Sequence, residues 1–259
     1  MSIRVYTCAI WTAKTMTCAS LSLFRFGTLA ARAWVLGQMG LARLDLRRTP
    51  GLKFWKLCGS GTGEGFTPVP NTAVWAILAE WESEAVARAR IAHAPVFARW
   101  RAHAAESWTI FLEPLAARGR WGGVAAFGGA DAGGCPWSGI GAKDGAVAAL
   151  TRATLRPSTA LRFWGRVPDI SQAIGADENV IFKIGIGELP LMHQVTFSIW
   201  PDTASMAHFA REDGPHARAI RAVRAEGWFR EELYARFRIL GDEGLWEGKH
   251  PLAAMETAA

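Results

Sequence analysis

The chain contains an internal repeat, which constrains the fold more than any other feature of the sequence. The first copy carries the strings FWKLCGSG, NTAVWAILAEW, APVFARWRAHAAESW and RGRWGG, and the second carries VIFKIGIG, LMHQVTFSIW, GPHARAIRAVRAEGW and DEGLWEG in the same order. Trp81 and Trp108 recur at nearly the same spacing as Trp200 and Trp228. Each copy is therefore expected to form the same structural unit. Residues that only one copy has become the first candidates for function.

Each copy predicts the element order β-α-β-β-α-β, which is the ferredoxin-like pattern. In the first copy the predicted strands are 20–26, 52–58, 72–81 and 108–115, and the predicted helices are 29–47 and 83–104. In the second copy the strands are 149–156, 180–187, 192–200 and 231–240, with a helix over 158–174 and another that starts at Asp202 or Thr203. We expect an α+β fold in which tandem ferredoxin-like repeats pack as an internal pseudo-dimer of the dimeric α+β-barrel type.

Three local patterns add detail to the first copy. Trp34, Leu36, Leu41 and Leu44 form a partial apolar stripe on the first helix. Ser83 is a suitable N-cap for the second helix. The glycine run 59–65 predicts a long hairpin loop, because it leads into a strand and lacks both the GxGxxG fingerprint and the GK[ST] ending of nucleotide-binding loops.

The repeat also sets the expected domain boundaries. The first repeat covers 20–118, a glycine-rich linker covers 119–148, the second repeat covers 149–252, and 253–259 form a tail. Residues 1–19 are an unmatched N-terminal extension, expected to be disordered or to result from a misassigned start codon.

Composition narrows the class of protein. Of the 259 residues half are apolar and a fifth are charged, which is typical of a soluble globular protein. The net charge of +6 comes from scattered arginines that indicate a solvated face, or a face that touches anionic lipid headgroups, and no nucleic-acid motif accompanies it. Four widely spaced cysteines argue against a zinc site, an iron–sulfur cluster or a disulfide framework, and favour the cytoplasm.

Long strings in both copies resemble the spheroidene monooxygenase family. In the second copy these are ALTRATLRPSTALRFWGRVPDIS, NVIFKIGIGELPLMHQVTFSIWPD and GPHARAIRAVRAEGWFREELYARF. In the first copy they are SLFRF, RAWVLGQMG, FWKLCGSGTGEGFTPVPNTAVWAIL and ESWTIFLEPL. The resemblance extends from Ser20 to Leu252, with the glycine-rich linker as an interruption.

This resemblance implies an oxidoreductase of carotenoid biosynthesis in photosynthetic bacteria. Enzymes of the family use dioxygen, with electrons from reduced ferredoxin, to oxidise an acyclic carotenoid such as spheroidene near its methoxylated end. Successive hydroxylation of one carbon gives a geminal diol that loses water to leave a ketone, as in spheroidenone. The resemblance also implies a bound haem (iron), and a location in the cytoplasm or peripherally at the cytoplasmic face of the inner membrane.

The residues themselves agree with a cofactor of this kind. No ordinary side chain transfers single electrons to dioxygen, so a metal, a flavin or a substrate carbanion is required. A flavin or nicotinamide fingerprint is absent, and no HxD or HxE spacing indicates a non-haem iron site. Haem needs one axial side chain, often histidine, and an apolar slot, which suits a chain with 13 tryptophans.

Two of the six histidines stand in the second copy at places where the first copy has valine. His193 stands where the first copy has Val74, and His216 stands where it has Val96. We favour His216 as the haem ligand, because in related α+β-barrel proteins the haem lies between a sheet and a helix and a helical histidine faces the iron. His193 is the alternative ligand, or a group near bound oxygen. Each histidine could instead have a purely structural role.

Gln194 and Thr196 alternate with His193 along one strand, so they are expected on the opposite face of the sheet. Whichever set faces the haem would provide hydrogen bonds to oxygen, and all three are therefore candidate catalytic residues.

Further candidates would contact haem propionates or substrate. Lys183 is paired with Lys56 of the first copy in the string comparison and is either structural or a propionate contact. Arg156 and Arg162 are also placed to meet propionates. Trp164 would line a carotenoid groove or serve packing.

Two other functions stay open at this stage. One is a cofactor-free or haem-degrading oxygenase of the same barrel superfamily. The other is a haem or carotenoid carrier without turnover. In all of these the first copy is expected to be a scaffold and the second copy to hold the haem.

Overall fold

Eight strands close into an antiparallel barrel. The computed structural model describes residues 17–63, 67–128, 145–160, 162–165, 179–211 and 227–253. The strands are β1 Cys18–Arg25, β2 Leu52–Gly61, β3 Pro70–Trp81, β4 Glu106–Gly119, β5 Val147–Leu155, β6 Phe182–Gly187, β7 His193–Trp200 and β8 Phe229–Gly244. The helices are α1 Leu29–Arg48, α2 Glu84–His93, α3 Pro95–His103 and α4 Thr203–Arg211.

The strand order around the barrel is β1-β3-β2-β6-β7-β5-β8-β4, and every neighbouring pair is antiparallel. Each half of the chain contributes four adjacent strands, and the halves meet at two seams. The β2–β6 seam is short, with Gly59 opposite Gly187 and Ser60 opposite Ile186. The β4–β8 seam is long. The predicted class, a fold of mixed α and β elements, is confirmed, whereas the internal pseudo-dimer remains a prediction.

The barrel interior is a packed apolar core. Alternate residues of a strand point to opposite faces, so one set from each strand meets inside the barrel. The buried interior set includes Leu21, Leu78, Ile110, Ile184, Phe197 and Phe237. Polar side chains that point into the barrel therefore lie near its ends, where the strands stop.

Three helices cover the outer face of the first half. Trp81, Trp100 and Phe97 are completely buried between this layer and the sheet. The single helix predicted over 83–104 is wrong, because it ends at His93 and restarts at Pro95. Proline has no N–H to donate and its ring crowds the preceding turn, so the helix breaks there. Ser83 caps α2 as predicted, since its hydroxyl accepts a hydrogen bond from the Val86 amide at 3.3 Å.

Helix α1 presents a different face to the sheet from the predicted one. Its buried residues are Val35, Gln38, Ala42 and Leu46, which are spaced three or four apart and share one face. The predicted stripe faces elsewhere, and its three leucines at 36, 41 and 44 are exposed.

Strand β2 runs further than predicted and includes part of the glycine run. Gly59 pairs with Trp75 on one side and with Gly187 on the other. A Cβ at Gly59 would lie 3.3 Å from the Trp75 ring, so the absence of a side chain lets that ring lie across the strand. The start of the run, Gly59 to Gly61, therefore belongs to the strand at the seam, and residues 64–66 lie outside the described ranges.

Several predictions fall partly or wholly outside the described residues. These are His216, the helix predicted over 158–174 from residue 166 onward, the extension as far as residue 16, and most of the linker. Cys18 and Ala19, which were assigned to the unmatched extension, begin β1. Within the described ranges, no helix is both long and apolar enough to cross a membrane.

The second half is described less fully on its outer side. A 3-10 turn, Pro157–Thr159, and a helical stretch at 162–165 occupy the start of the predicted helix. Asp202 caps α4, because its Oδ1 accepts a hydrogen bond from the Ser205 amide at 2.7 Å.

Candidate active site

Two tight turns, each carrying a buried tryptophan, close the two ends of the barrel. Trp121 follows β4 and bridges to Val124, and Trp246 follows β8 and bridges to Lys249. Both rings pack on the interior core. The positive φ values of Gly122 (61°), Gly123 (78°) and Gly248 (71°) explain the glycines of these turns, because the left-handed region favours glycine.

Each turn is held by a glutamate from the strand beside it. Glu231 accepts hydrogen bonds from the amides of Gly122 at 2.8 Å and Gly123 at 2.7 Å. At the other end, Glu106 accepts one from the Gly248 amide at 2.7 Å and pairs with Arg25 at 3.3 Å. The carboxylates therefore satisfy backbone donors that the tight turns leave without a strand partner.

The barrel end at Trp121 carries a layer of polar side chains that point inward. Each continues the interior set of its strand: Lys56 lies between Phe54 and Cys58, and the same alternation holds on the other strands. The members of this layer are Lys56 of β2, Arg152 of β5, Glu188 after β6, His193 of β7 and Glu231 of β8. Strands from both halves therefore supply it.

Glu188 is the centre of one group in this layer. Its carboxylate pairs with Lys56 Nζ at 2.8 Å and accepts a hydrogen bond from Trp121 Nε1 at 2.5 Å. Burial favours a higher pKa for Glu188, but the hydrogen bonds from Lys56 and Trp121 hold its pKa below the ordinary value. The carboxylate is therefore ionised at neutral pH although its side chain is only 18% exposed.

His193 lies next to this carboxylate. Its Nδ1 is 3.6 Å from Glu188 Oε2, is buried, and makes no hydrogen bond to the described residues. Burial lowers the pKa of His193, and the nearby cations Arg152 and Lys56 add to this against the opposing charge of Glu188. The imidazole is therefore neutral at neutral pH, which is the form that ligates metals.

Arg152 forms the second group with Glu231. The arginine side chain is 2% exposed, and its Nη1 lies 2.5 Å from Glu231 Oε2. Its guanidinium also stands 5.5 Å from the centre of the Trp121 ring. Burial favours a higher pKa for Glu231, but the amides of Gly123 and Gly122 and the charge of Arg152 hold its pKa below the ordinary value.

A groove opens on the flank of the barrel over the β2–β6 seam. It has a volume of about 340 Å³, mostly apolar walls, and His193, Gln194 and Glu188 among its lining residues. The apolar part of the wall includes Leu36, Met39, Trp75, Trp164, Leu189 and Leu191. Gly187 lines it as well, and a Cβ there would come within 2.1 Å of the His193 carbonyl oxygen. The groove thus brings an apolar surface to an imidazole and a carboxylate.

The residues predicted on β7 lie as expected relative to one another. His193 shares the interior face with Val195 and Phe197, whereas Gln194 and Thr196 are on the outer face. Gln194 also reaches the wall of the groove. The role of each in the reaction remains a prediction, and His216 lies outside the described residues.

The pairing of Lys183 with Lys56 is wrong by one residue. In the first copy Lys56 is paired with Leu78, which stands three residues before Trp81. In the second copy the residue three before Trp200 is Phe197, and its strand partner is Ile184. Lys56 therefore corresponds to Ile184 on the interior face. Lys183 lies on the outer face, because a slip of one residue reverses the face of a strand side chain.

Of the three remaining candidates, Arg162 and Trp164 lie on the short helical stretch beside the groove. Arg156 precedes it, and its Nε donates a hydrogen bond to the Gly227 carbonyl at 2.9 Å. Arg162 is exposed, and its predicted contact with a propionate remains a prediction. Trp164 lines the groove, where its Nε1 donates a hydrogen bond to the Leu191 carbonyl at 3.0 Å.

Sequence reasoning missed the roles of Glu188, Arg152 and Trp121. A comparison of the two copies in the correct register would have found three polar residues of this layer, because each corresponds to an apolar or smaller residue in the other copy. The pairs are Lys56 with Ile184, Glu188 with Ser60, and Arg152 with Leu23. No group of three or more His, Cys, Asp or Glu side chains in the described part of the chain could hold a metal ion.

Comparison with known proteins gives consistent results. No family model matches the chain. It is 58% identical over 240 residues to a spheroidene monooxygenase from Rhodobacter capsulatus, covering 92% of this chain and 97% of that protein. It is 51% identical to the enzyme of the same name from Cereibacter sphaeroides, covering 94% and 73%, and 34% identical to that from Rubrivivax gelatinosus, covering 85% and 81%.

Solved structures with the same fold share little sequence with this chain. An aldoxime dehydratase aligns with a TM-score of 0.60 at 11% identity, over 88% of this chain and 82% of its own. A second aldoxime dehydratase, in complex with butyraldoxime, aligns with a TM-score of 0.58 at 10% identity, over 94% and 86%. At such identities the likeness concerns the fold alone.

Proposed function

Because the chain belongs to the spheroidene monooxygenase family, we propose that it is a carotenoid monooxygenase that introduces a keto group into an acyclic carotenoid of the spheroidene type. The observation that carries the proposal is the identity of 58% to a protein of that name over nearly its whole length. The groove supports it, because mostly apolar walls with His193 and Glu188 among the lining residues suit a long hydrocarbon that reacts near one end.

The reaction is two hydroxylations of one carbon followed by loss of water. Each hydroxylation inserts one atom of dioxygen into a C–H bond, and the other atom leaves as water after two electrons and two protons are supplied. We propose reduced ferredoxin as the electron donor. The geminal diol that results then loses water to give the ketone, which needs no further oxidant.

We further propose haem as the group that activates dioxygen, since haem supplies dioxygen binding and one-electron chemistry that side chains lack. Among the described residues, His193 would be suited to hold this group. His193 is a neutral imidazole with a carboxylate beside Nδ1, and such a carboxylate commonly orients a metal-ligating histidine. Lys56 and Trp121 hold that carboxylate in place.

The two candidate ligands imply two different haem positions. A haem on His193 would lie at the groove, close to Glu188. A haem on His216 would lie on the outer face of β7, where Gln194 and Thr196 would face it and where Lys183 and Arg162 could meet its propionates. The geometry of the described residues favours His193, and His216 remains the alternative.

Two finer proposals concern the whole molecule. We interpret the barrel as an internal pseudo-dimer, supported by the recurrence of one strand order in both halves and by a tryptophan turn bound to a glutamate at each end. We also propose that the protein works in the cytoplasm, at the surface of the inner membrane.

The test is pigment and haem analysis in one set of strains. The gene is expressed in a host that accumulates spheroidene or lycopene, and keto-carotenoids are expected under air but not without oxygen. The purified protein is expected to show a Soret band that shifts on reduction with dithionite. A protein that binds haem but forms no new pigment would contradict the enzyme and indicate a carrier.

Three histidine variants then locate the haem. His193→Ala is expected to abolish the Soret band, and His216→Ala to keep it. His250→Ala, at an exposed histidine in the C-terminal part, is the matched control and should keep both the band and the activity. Loss of the band in His216→Ala alone would overturn the assignment to His193 and place the haem on the outer face of β7.

A further inference from the structure

We propose that the exposed face of α1 docks on an anionic lipid bilayer, so that a polyene dissolved in the membrane passes directly into the groove. This rests on the proposed function in one respect only, namely that the substrate is a carotenoid. The surface, called here the α1 face, consists of Leu29, Ala33, Leu36, Gly37, Gly40, Leu41 and Leu44, all of which are exposed.

The α1 face is unusual for the surface of a folded protein. Leu29 is 81% exposed, Leu41 60%, and Leu36 and Leu44 53% each. At 3.6 residues per turn these leucines share one side of the helix with Ala33, Gly37 and Gly40. No charged side chain interrupts this side from Leu29 to Leu41, and Arg43 joins it in the last turn before Leu44. A contiguous exposed apolar patch of this kind marks a surface that another apolar phase covers.

The neighbouring helices provide an internal comparison. Helices α2 and α3 lie in the same outer layer, and their exposed positions are alanine, arginine, histidine and one proline. The large apolar side chains Ile91, Val96, Phe97 and Trp100 are all buried. Exposed leucines are therefore a property of α1 and not of the outer layer in general.

The α1 face is continuous with the groove. Leu36 belongs to both, and Met39 on the next turn also lines the groove. Across the opening stand Leu189 and Leu191, which are 51% and 43% exposed. A polyene that leaves the bilayer at this rim would stay in contact with apolar side chains until it reaches His193.

Charge favours a bilayer over other apolar partners. Helix α1 carries Arg32, Arg43, Arg47 and Arg48, and its one acidic residue, Asp45, is paired with Arg99. Basic residues beside an apolar helix face are the pattern of helices that lie in the interface of anionic membranes. A second copy of this chain would bring the same arginines towards one another, which disfavours a dimer through α1.

The test measures binding to vesicles independently of turnover. The full-length protein is sedimented with vesicles of phosphatidylcholine alone, or of equal parts phosphatidylcholine and phosphatidylglycerol. We expect binding to the mixed vesicles, and weaker binding to the neutral ones or at high salt. The variant L41Q/L44Q changes two exposed leucines that do not line the groove, and should weaken vesicle binding by about tenfold or more. The control Leu245→Gln, at a 40% exposed leucine elsewhere, should bind as the unchanged protein does.

Turnover assays separate this proposal from the proposed function. L41Q/L44Q is expected to oxidise carotenoid in detergent at the normal rate and carotenoid in vesicles at a reduced rate. Vesicle binding equal to that of the unchanged protein would overturn the docking surface, and so would a dimer in sedimentation that L41Q/L44Q dissociates without any vesicle binding. If no keto-carotenoid forms while vesicle binding depends on the α1 face, the function fails and the docking surface stands.

Discussion

The two ends of the barrel share a frame but differ in what fills it. At each end a tryptophan turn is bound to a glutamate, Glu231 for Trp121 and Glu106 for Trp246. At the Trp121 end the strands add Lys56, Arg152, Glu188 and His193 to the interior. At the Trp246 end the corresponding places hold Ile184, Leu23, Ser60 and Val74.

This difference shows that the polar layer is not built by one half of the chain. Lys56 and Trp121 come from the first half, and Glu188 and His193 come from the second. The expectation that the first copy is a scaffold and the second holds the haem stays a prediction, and the first copy supplies two of the contacts to Glu188. Closure of the barrel at the β2–β6 seam brings a lysine from one copy to the glutamate of the other, and neither copy could form the group alone.

The largest expected difference between the two ends concerns the glutamates. Glu231→Gln would leave Arg152, 2% exposed, without its counter-charge, and a buried unpaired cation typically costs about 3–5 kcal/mol. Glu106→Gln would cost about 1 kcal/mol, because Arg25 is 33% exposed and keeps Glu247 at 2.9 Å. The free energy of unfolding, measured in urea at neutral pH for each variant, gives the two losses of stability. Equal losses for Glu231→Gln and Glu106→Gln would contradict the expected difference between the two ends.

The same variants have a defined dependence on pH. Both glutamates have a pKa in the folded protein below the ordinary value, for Glu106 because the amides of Gly248 and Glu247 outweigh burial. Their stabilisation is therefore complete above the unfolded pKa of about 4.3 and is lost as the pH falls through the folded pKa. The loss caused by either substitution should shrink in acid, and a loss that stays constant down to about pH 3 would contradict the charge-based cause.

A smaller difference is expected between the two tryptophans. Trp121→Phe removes an N–H that donates to Glu188 at 2.5 Å, whereas the Trp246 ring packs under Arg25 at 4.6 Å. The two substitutions remove the same atoms, so Trp121→Phe should be less stable than Trp246→Phe by about 1.5–3 kcal/mol, the contribution of a hydrogen bond to a charged group. Thermal unfolding of the pair gives this difference, and an equal midpoint would show that Glu188 finds another donor.

Much of the fold could be predicted because each copy of the repeat shows its strands and helices as local sequence patterns. The strand alternation, the N-cap at Ser83 and the proline at 95 are all visible in the sequence, although the break at Pro95 was overlooked. The face that α1 buries was not predictable from its leucines. Val35, Gln38, Ala42 and Leu46 pack on the sheet, and the leucines at 29, 36, 41 and 44 are exposed.

The candidate site was harder to predict because it depends on register and on a distant pairing. Matching the strings by their letters placed Lys56 against Lys183, and that slip of one residue moved the lysine to the wrong face of the sheet. The contact between Lys56 and Glu188 exists only because β2 and β6 pair, and no local pattern reports a pairing between strands so far apart in sequence. His193 could be found because its difference from Val74 does not depend on this pairing.

The prediction most informative for function concerns the lysine that joins the halves. Lys56→Met would remove the cation 2.8 Å from Glu188, raise the pKa of that carboxyl and free it to turn away from His193. Substitution of a group that orients a metal ligand typically costs about 10–100-fold in affinity or activity. Lys249→Met, at the exposed lysine of the Trp246 turn, is the matched control and should leave haem affinity and activity unchanged. Haem retention and keto-carotenoid formation are measured for both variants. If Lys56→Met keeps its Soret band and its activity, the polar layer is structural and the site lies on the outer face of β7. If Lys56→Met loses both and Lys249→Met keeps both, Lys56 is a positioning residue for a site that the two halves build together.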